Sequence, residues 1–239
     1  MPTNKILSWM VHLYTATGGV IGMFALLLAA DNRTSEAFLV LISTLIIDAT
    51  DGMIARRLRV SEVLPEFSGA QMDNVIDVFT YIWIPVFIMV HEDLLPHPIM
   101  LAIPVFAAMY AYGQVEMKTP DSFFLGFPSY WNVIALYLYL LKPDAWLATI
   151  LVVVPAILTF IPTRYLYPSK SNTLWRTSWG LGMIWVVMVM FMLLQDDPSS
   201  ELIWASTFYP IFYLGASFYV DWRVRTGRLI PSSGQSTAE

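Results

Sequence analysis

Polar residues in this chain fall in short clusters, and the stretches between the clusters are almost wholly apolar. A helix needs about 20 mainly apolar residues to cross the ~30 Å hydrocarbon core of a bilayer. By that measure the pattern predicts spans near residues 10–30, 36–56, 72–91, 99–117, 127–141, 145–162, 175–195 and 201–220. The fifth is the shortest. Pro85, Pro104 and Pro155 lie inside spans, where they are read as kinks. No linker is long enough to separate domains. The expected fold is therefore all-α: one polytopic membrane domain over 1–239, with about eight transmembrane helices and a polar tail from about 229.

Charge supplies the orientation. With the N-terminus inside, Lys5, Arg56, Arg57, Arg59, Lys118, Arg164, Lys170, Arg176, Arg223, Arg225 and Arg228 are cytoplasmic, and only Arg33 and Lys142 lie outside. An excess of basic residues marks the cytoplasmic side of a membrane protein. Losing or gaining one span would spoil this division, so both termini are expected in the cytoplasm. Composition agrees: the chain is 57% hydrophobic and 13% charged, with mean hydropathy +0.61. Soluble domains carry about 25% charged residues. The net charge of −5 gives no basic footprint for nucleic acid. With no cysteine, any metal must be held by carboxylates or by the three histidines.

Four carboxylates break the apolar pattern. Asp48, Asp51, Asp73 and Asp77 fall in or at the cytoplasmic edge of the second and third spans. A charged residue inside a membrane helix costs about 2.5–3.5 kcal/mol on insertion scales and is a functional site by default. Helix-end charges offer a blander account, and Asp73 and Asp77 fit it in part. Asp48 does not, because it follows an unbroken apolar run. Asp48, Asp51, Gly52 and Ala55 share one helix face at i, i+3, i+4 and i+7, and Gly69, Asp73 and Asp77 share another at i, i+4 and i+8. Four converging negative charges need neutralising, and hard divalent cations with oxygen ligands do this. Gly52, Ala55 and Gly69 leave room for a ligand beside the carboxylates, and Arg56 can hold a phosphate.

The stretch from Asp48 to Asp77 resembles the signature of the CDP-alcohol phosphotransferase family, D-x-x-D-G-x-x-A-R followed by G-x-x-x-D-x-x-x-D. Asp48, Asp51, Gly52, Ala55, Arg56, Gly69, Asp73 and Asp77 fill every fixed position. The spacer of twelve residues, 57 to 68, is longer than the family's usual one. It is similar to that of the bacterial subgroup that condenses CDP-diacylglycerol with choline, as are the chain length and the segment from Phe123 to Asn132.

That resemblance implies an alcohol attacking the β-phosphorus of a CDP-lipid, with CMP released, at the cytoplasmic face of a bacterial inner membrane. It implies two divalent ions, Mn²⁺ in preference to Mg²⁺, held by Asp48, Asp51, Asp73 and Asp77. Asp77 would also take the proton from the acceptor, while Gly52, Ala55, Gly69 and Arg56 bind the CDP-lipid. Family members often form homodimers, which leaves a homo-oligomer open. Choline has no N–H, so aromatic faces must recognise it; the candidates are Tyr81, Tyr130, Trp131 and Tyr14. An acceptor such as serine, inositol or glycerol phosphate is the alternative within the family. A secondary transporter also carries buried acids, but no inverted repeat is visible.

Other features have plainer readings. The basic, aromatic loop with Arg164, Tyr165, Tyr167, Lys170 and Arg176 serves either a lipid phosphate or membrane anchoring. His12 is read as a structural histidine ahead of a site residue, and His91 and His97 as incidental.

Overall fold

A computed structural model of the chain describes residues 5–115, 119, 123–167 and 174–228. Lys118, Lys170 and the tail from residue 229 lie outside the described residues. The helices are α1 (Lys5–Ala30), α2 (Thr34–Arg57), the single turn α3 (Val60–Val63), α4 (Gly69–Val78) and α5 (Ile84–His91). They continue with α6 (Ala102–Gly113), α7 (Trp131–Leu141), α8 (Ala145–Phe160), α9 (Trp175–Leu193), α10 (Ser200–Ser206) and α11 (Phe208–Arg225). Four helices among the described residues are long and apolar enough to cross a membrane: Lys5–Ala30, Thr34–Arg57, Gly69–His91 and Arg176–Leu193. Pro98–Gly113, Trp131–Leu141 and Ala145–Phe160 are shorter apolar helices.

Two departures from the expected pattern matter. The stretch at 201–220 is broken at Thr207 into α10 and α11, and Pro210 stands in the first turn of the second piece. The fold is also not purely helical. Phe123–Leu125 (β1) pairs antiparallel with Arg164–Leu166 (β2), with Phe124 opposite Tyr165. These strands lie in two separate polar breaks of the sequence, so only the tertiary fold makes them neighbours. Gly126 ends β1 at φ +82°, and a Cβ there would lie 2.4 Å from the Thr159 carbonyl oxygen.

Packing follows residue size. Gly18, Gly22, Ala25 and Ala29 form a buried small-residue face on α1. A Cβ at Gly22 would stand 3.0 Å from Thr80 and 3.1 Å from Phe79, so this face admits the Gly69–His91 helix closely. The main core is filled from α2, α5, α7 and α9 by residues such as Leu41, Ile88, Leu138 and Met192. A second core of Phe123, Phe127, Tyr165, Leu166, Tyr213 and Val220 joins the sheet to α11. Large apolar side chains on the outer faces, Leu13, Phe24, Ile157 and Val187 among them, are exposed. Such a surface suits lipid rather than water.

Candidate active site

Helix α2 delivers Asp48 and Asp51 one turn apart, and α4 delivers Asp73 and Asp77 one turn apart. Ser68 sets the start of α4 as an N-cap, its hydroxyl accepting from the Gln71 N–H at 3.2 Å. The two helices bring Asp48, Asp73 and Asp77 together, with one carboxylate oxygen from each lying within 4.8 Å of the others. Asp48 is exposed, Asp73 half-buried and Asp77 buried. Asp51 is also buried, accepts a hydrogen bond from the Gly52 N–H, and stands outside this triplet. A hard divalent ion binds oxygens at about 2.0–2.6 Å, so two oxygens on one ion lie up to about 4–5 Å apart. The triplet fits that spacing and is oxygen-only, so it could hold a metal ion.

Arg56 folds back along α2, its Nη1 3.1 Å from the position of a Cβ at Gly52. Gly52 therefore gives the guanidinium room to lie along the acidic turn, and Ala55 is half-buried beside it. Gly69 has a different neighbour from the one its small size suggested: the His12 ring rests on it, with Cε1 2.8 Å from where a Cβ would be.

The four aromatic candidates separate. Tyr81 donates a hydrogen bond to Asp48 Oδ2 at 2.8 Å, and its ring lies 6.3 Å from that of Tyr130. Tyr81 lies in a π-helical turn, Phe79–Trp83, set between α4 and α5. Pro85 follows it; a proline cannot donate to the carbonyl four residues back, here that of Tyr81, and its ring crowds that carbonyl. A wider turn absorbs both problems, and such turns recur at functional sites. Tyr130 stacks edge-on against Tyr213 at 5.5 Å. Tyr14 instead shares a hydrogen bond with Thr50 at 2.7 Å, and Trp131 is fully buried against Phe127. The structure thus brings Tyr81 and Tyr130 to the carboxylates and sets Tyr14 and Trp131 apart.

No family model matches the chain. It is 34% identical to the phosphatidylcholine synthase of Pseudomonas aeruginosa over 198 residues, 82% of this chain and 83% of that one. The phosphatidylcholine synthase of Rhizobium johnstonii is 33% identical over 241 residues, covering 99% of this chain and 97% of the relative. That of Bradyrhizobium diazoefficiens is 39% identical over 201 residues, 82% and 74% of the two chains. The chain belongs to the phosphatidylcholine synthase family.

In this family member, three site-side residues were not visible in the sequence pattern. Tyr112, in the last turn of α6, lies within electrostatic reach of Asp77, Asp48, Asp73 and Tyr130. Its neighbourhood follows from the docking of α6, which nothing local in the sequence reports. Tyr213 packs between Tyr130 and Tyr165 and donates to the Leu166 carbonyl at 2.8 Å. Asp221 is buried in α11 and holds the sheet: Oδ1 accepts from the Arg164 N–H at 3.1 Å, and Oδ2 from Arg225 Nε at 2.6 Å. Arg225 also donates to the Pro162 carbonyl at 2.6 Å. Burial, reinforced by the Asp221 charge, pushes the Tyr165 phenol up to about 12, so it remains neutral. Arg164 is thus turned towards a structural clamp with Asp221, at 3.6 Å.

Proposed function

We propose that the chain transfers a phosphatidyl group from CDP-diacylglycerol to choline, giving phosphatidylcholine and CMP. The observation that carries this is the convergence of Asp48, Asp73 and Asp77 from two signature helices, in a chain whose relatives are named for that synthesis. Asp48, Asp51, Asp73 and Asp77 hold two divalent ions, Mn²⁺ or Mg²⁺. When bound, these neutralise the pyrophosphate and polarise its oxygens. Arg56 pairs with the diphosphate, and Gly52, Ala55 and Gly69 line the CDP-lipid site. The choline hydroxyl oxygen bonds to the β-phosphorus, the bond from that phosphorus to the bridging oxygen breaks, and CMP leaves. The hydroxyl proton passes to the buried Asp77 carboxylate.

Tyr81 and Tyr130 present aromatic faces to the choline ammonium beside the Asp48 carboxylate. Trp131 and Tyr14 support that wall and α2 respectively. The basic residues at this end, Arg56, Arg57 and Arg59 among them, favour a cytoplasmic site in a bacterial inner membrane, with both termini on that side.

The decisive experiment is purified protein with CDP-diacylglycerol, Mn²⁺ and a panel of alcohols, following CMP release. Choline-dependent release is expected. Release driven by serine, inositol or glycerol phosphate instead would move the acceptor, and release with none of them would overturn the reading.

A further inference from the structure

Helix α11 covers the edge of β2 that β1 leaves open. In an antiparallel pair, alternate residues turn their backbone N–H and C=O away from the partner strand. In β2 these are Arg164 and Leu166, on either side of Tyr165, which stands opposite Phe124. Three side chains of α11 take up their edge groups. Asp221 Oδ1 accepts from the Arg164 N–H at 3.1 Å, Ser217 Oγ accepts from the Leu166 N–H at 3.1 Å, and Tyr213 Oη donates to the Leu166 carbonyl at 2.8 Å. All three are buried. Their four-residue spacing puts them on one helix face about 6 Å apart along the axis, close to the roughly 6.6 Å between alternate residues of a strand. The helix thus stands in for a third strand.

This ladder leads to the acidic end. β1 continues through Gly126, whose N–H donates to the Thr163 carbonyl at 2.9 Å, into the short loop that carries Tyr130. That loop is tightly wound. Ser129 is left-handed at φ +58°, its N–H donates to the Phe127 carbonyl at 2.9 Å, and the Trp131 N–H donates to the Ser129 carbonyl at 2.8 Å. A displacement of the sheet is therefore passed on to Tyr130. The first residue of the ladder also touches Tyr130 directly, the Tyr213 ring standing edge-on to it at 5.5 Å. Tyr130 in turn lies 6.3 Å from Tyr81, which donates to Asp48. Both routes, through backbone and through ring, end on the same side chain.

We propose that Tyr213, Ser217 and Asp221 are positioning residues for the acceptor alcohol: the ladder fixes Tyr130 and so sets the fit of the acceptor's ammonium group. The inference rests on the reading of Tyr130 as part of the choline wall. The attraction of a cation to a ring is confined to about 6 Å from the ring centroid, so a small displacement of Tyr130 weakens it. Protonated N,N-dimethylethanolamine is one methyl smaller than choline and carries an N–H, so it depends less on a fixed ring. Loosening the ladder therefore costs choline more than it costs the smaller alcohol.

The test measures CMP release by the full-length protein with Mn²⁺ and CDP-diacylglycerol, against choline and against N,N-dimethylethanolamine. Ser217→Ala and Tyr213→Phe each remove one rung, and each is expected to raise the choline KM about three- to tenfold. Asp221→Asn keeps an oxygen for the Arg164 N–H and should raise it less than Asp221→Ala does. In every variant the KM for CDP-diacylglycerol and kcat at saturating choline stay close to wild type, and choline's advantage over dimethylethanolamine narrows. Tyr213→Phe, which keeps the ring, keeps the test decisive if Ser217→Ala does not fold. A ladder that only holds the fold would lower the thermal midpoint and leave the choline KM and the acceptor ratio alone. That outcome overturns the proposal, as does an equal rise in the KM of both substrates. Wild-type protein that releases CMP with neither amino alcohol would overturn the choline reading itself. Choline-dependent release by the wild type, with an unchanged choline KM in Tyr130→Ala, would leave that reaction standing and overturn the ladder's role alone.

Discussion

The two ends of the helix bundle treat their polar groups in opposite ways. At the end where α2 begins, polar side chains close on one another. Thr34 donates to Glu92, Ser35 shares a hydrogen bond with Tyr139 at 3.0 Å, and Arg33 pairs with Glu36. His97 and Asp144 cap their own turns. Between the ends, Tyr137, Trp185 and Ser206 form a complete network, with Trp185 Nε1 donating to Tyr137 Oη at 2.9 Å. At the acidic end, three carboxylates crowd within 4.8 Å. There too, or in the loop and sheet beside it, Ser8, His12, Gln114, Ser129, Trp131 and Tyr165 carry buried polar atoms without partners among the described residues. Unpaired groups and crowded like charges are both unfavourable. Their concentration at one end sets it apart from the paired end and from the central network, which hold helices together.

Asp77→Asn should break this contrast most deeply. It keeps shape and removes both the proposed base and one crowded charge, so turnover is expected to fall about 100- to 10,000-fold while CMP binding persists. CMP release and CMP calorimetry on the same preparation check this, and near-normal release would reject Asp77 as the base. Metal affinity sharpens the geometry next. Asp73→Ala removes a member of the triplet, and its Mn²⁺ affinity should fall by more than the roughly 10- to 100-fold typical of losing an outer-shell partner. Asp51→Ala, outside the triplet, should lose less. Equal losses for the two would show that Asp51 is as close a ligand as Asp73.

Why the carboxylates could be found from sequence and their neighbours could not is a matter of range. Asp48 and Asp51, or Asp73 and Asp77, share a face because a helix repeats every 3.6 residues, and charge within an apolar run stands out against the cost of burying it. The long spans were legible for the same local reason. The β1–β2 pair was not, since the pairing of Phe124 with Tyr165 joins two loops separated by two helices. Asp221 reads as one more charge near the chain's end, and only the fold buries it beneath Arg164 and Arg225. Regular α-helical spacing makes Tyr81 a neighbour of Asp77. The π-helical turn ahead of Pro85 instead accompanies a hydrogen bond to Asp48 on the other helix. The sequence alone points to a structural histidine at position 12, yet its Nε2 has no partner among the described residues.

Tyr81 offers a finer probe of the acidic end. Tyr81→Ala removes both a ring face and the bond to Asp48, and the KM for choline should rise about 2- to 30-fold, the range of a cation–π contact. Tyr81→Phe keeps the ring and should raise it less. Unchanged choline KM in Tyr81→Ala would dismiss this ring from the acceptor site.

The smallest effect belongs to the paired network, and it tests the other half of the contrast. Tyr137→Phe leaves the ring in the core but strips the acceptor of Trp185 Nε1 and the partner of Ser206. Hydrogen bonds between membrane helices contribute about 0.6 kcal/mol on average and about 1.7 at most. A loss of about 1 kcal/mol in detergent unfolding is therefore expected, because Trp185 keeps a buried N–H that must find another partner. Ser206 suffers less, since its hydroxyl already donates to the Ile203 carbonyl at 2.6 Å. Turnover per folded molecule should stay at the wild-type value, as none of the three residues touches the carboxylate cluster. A Tyr137→Phe protein of normal stability but altered choline or CDP-lipid KM would show that the network belongs to the substrate site, and that the division between a paired framework and an acidic end is drawn in the wrong place.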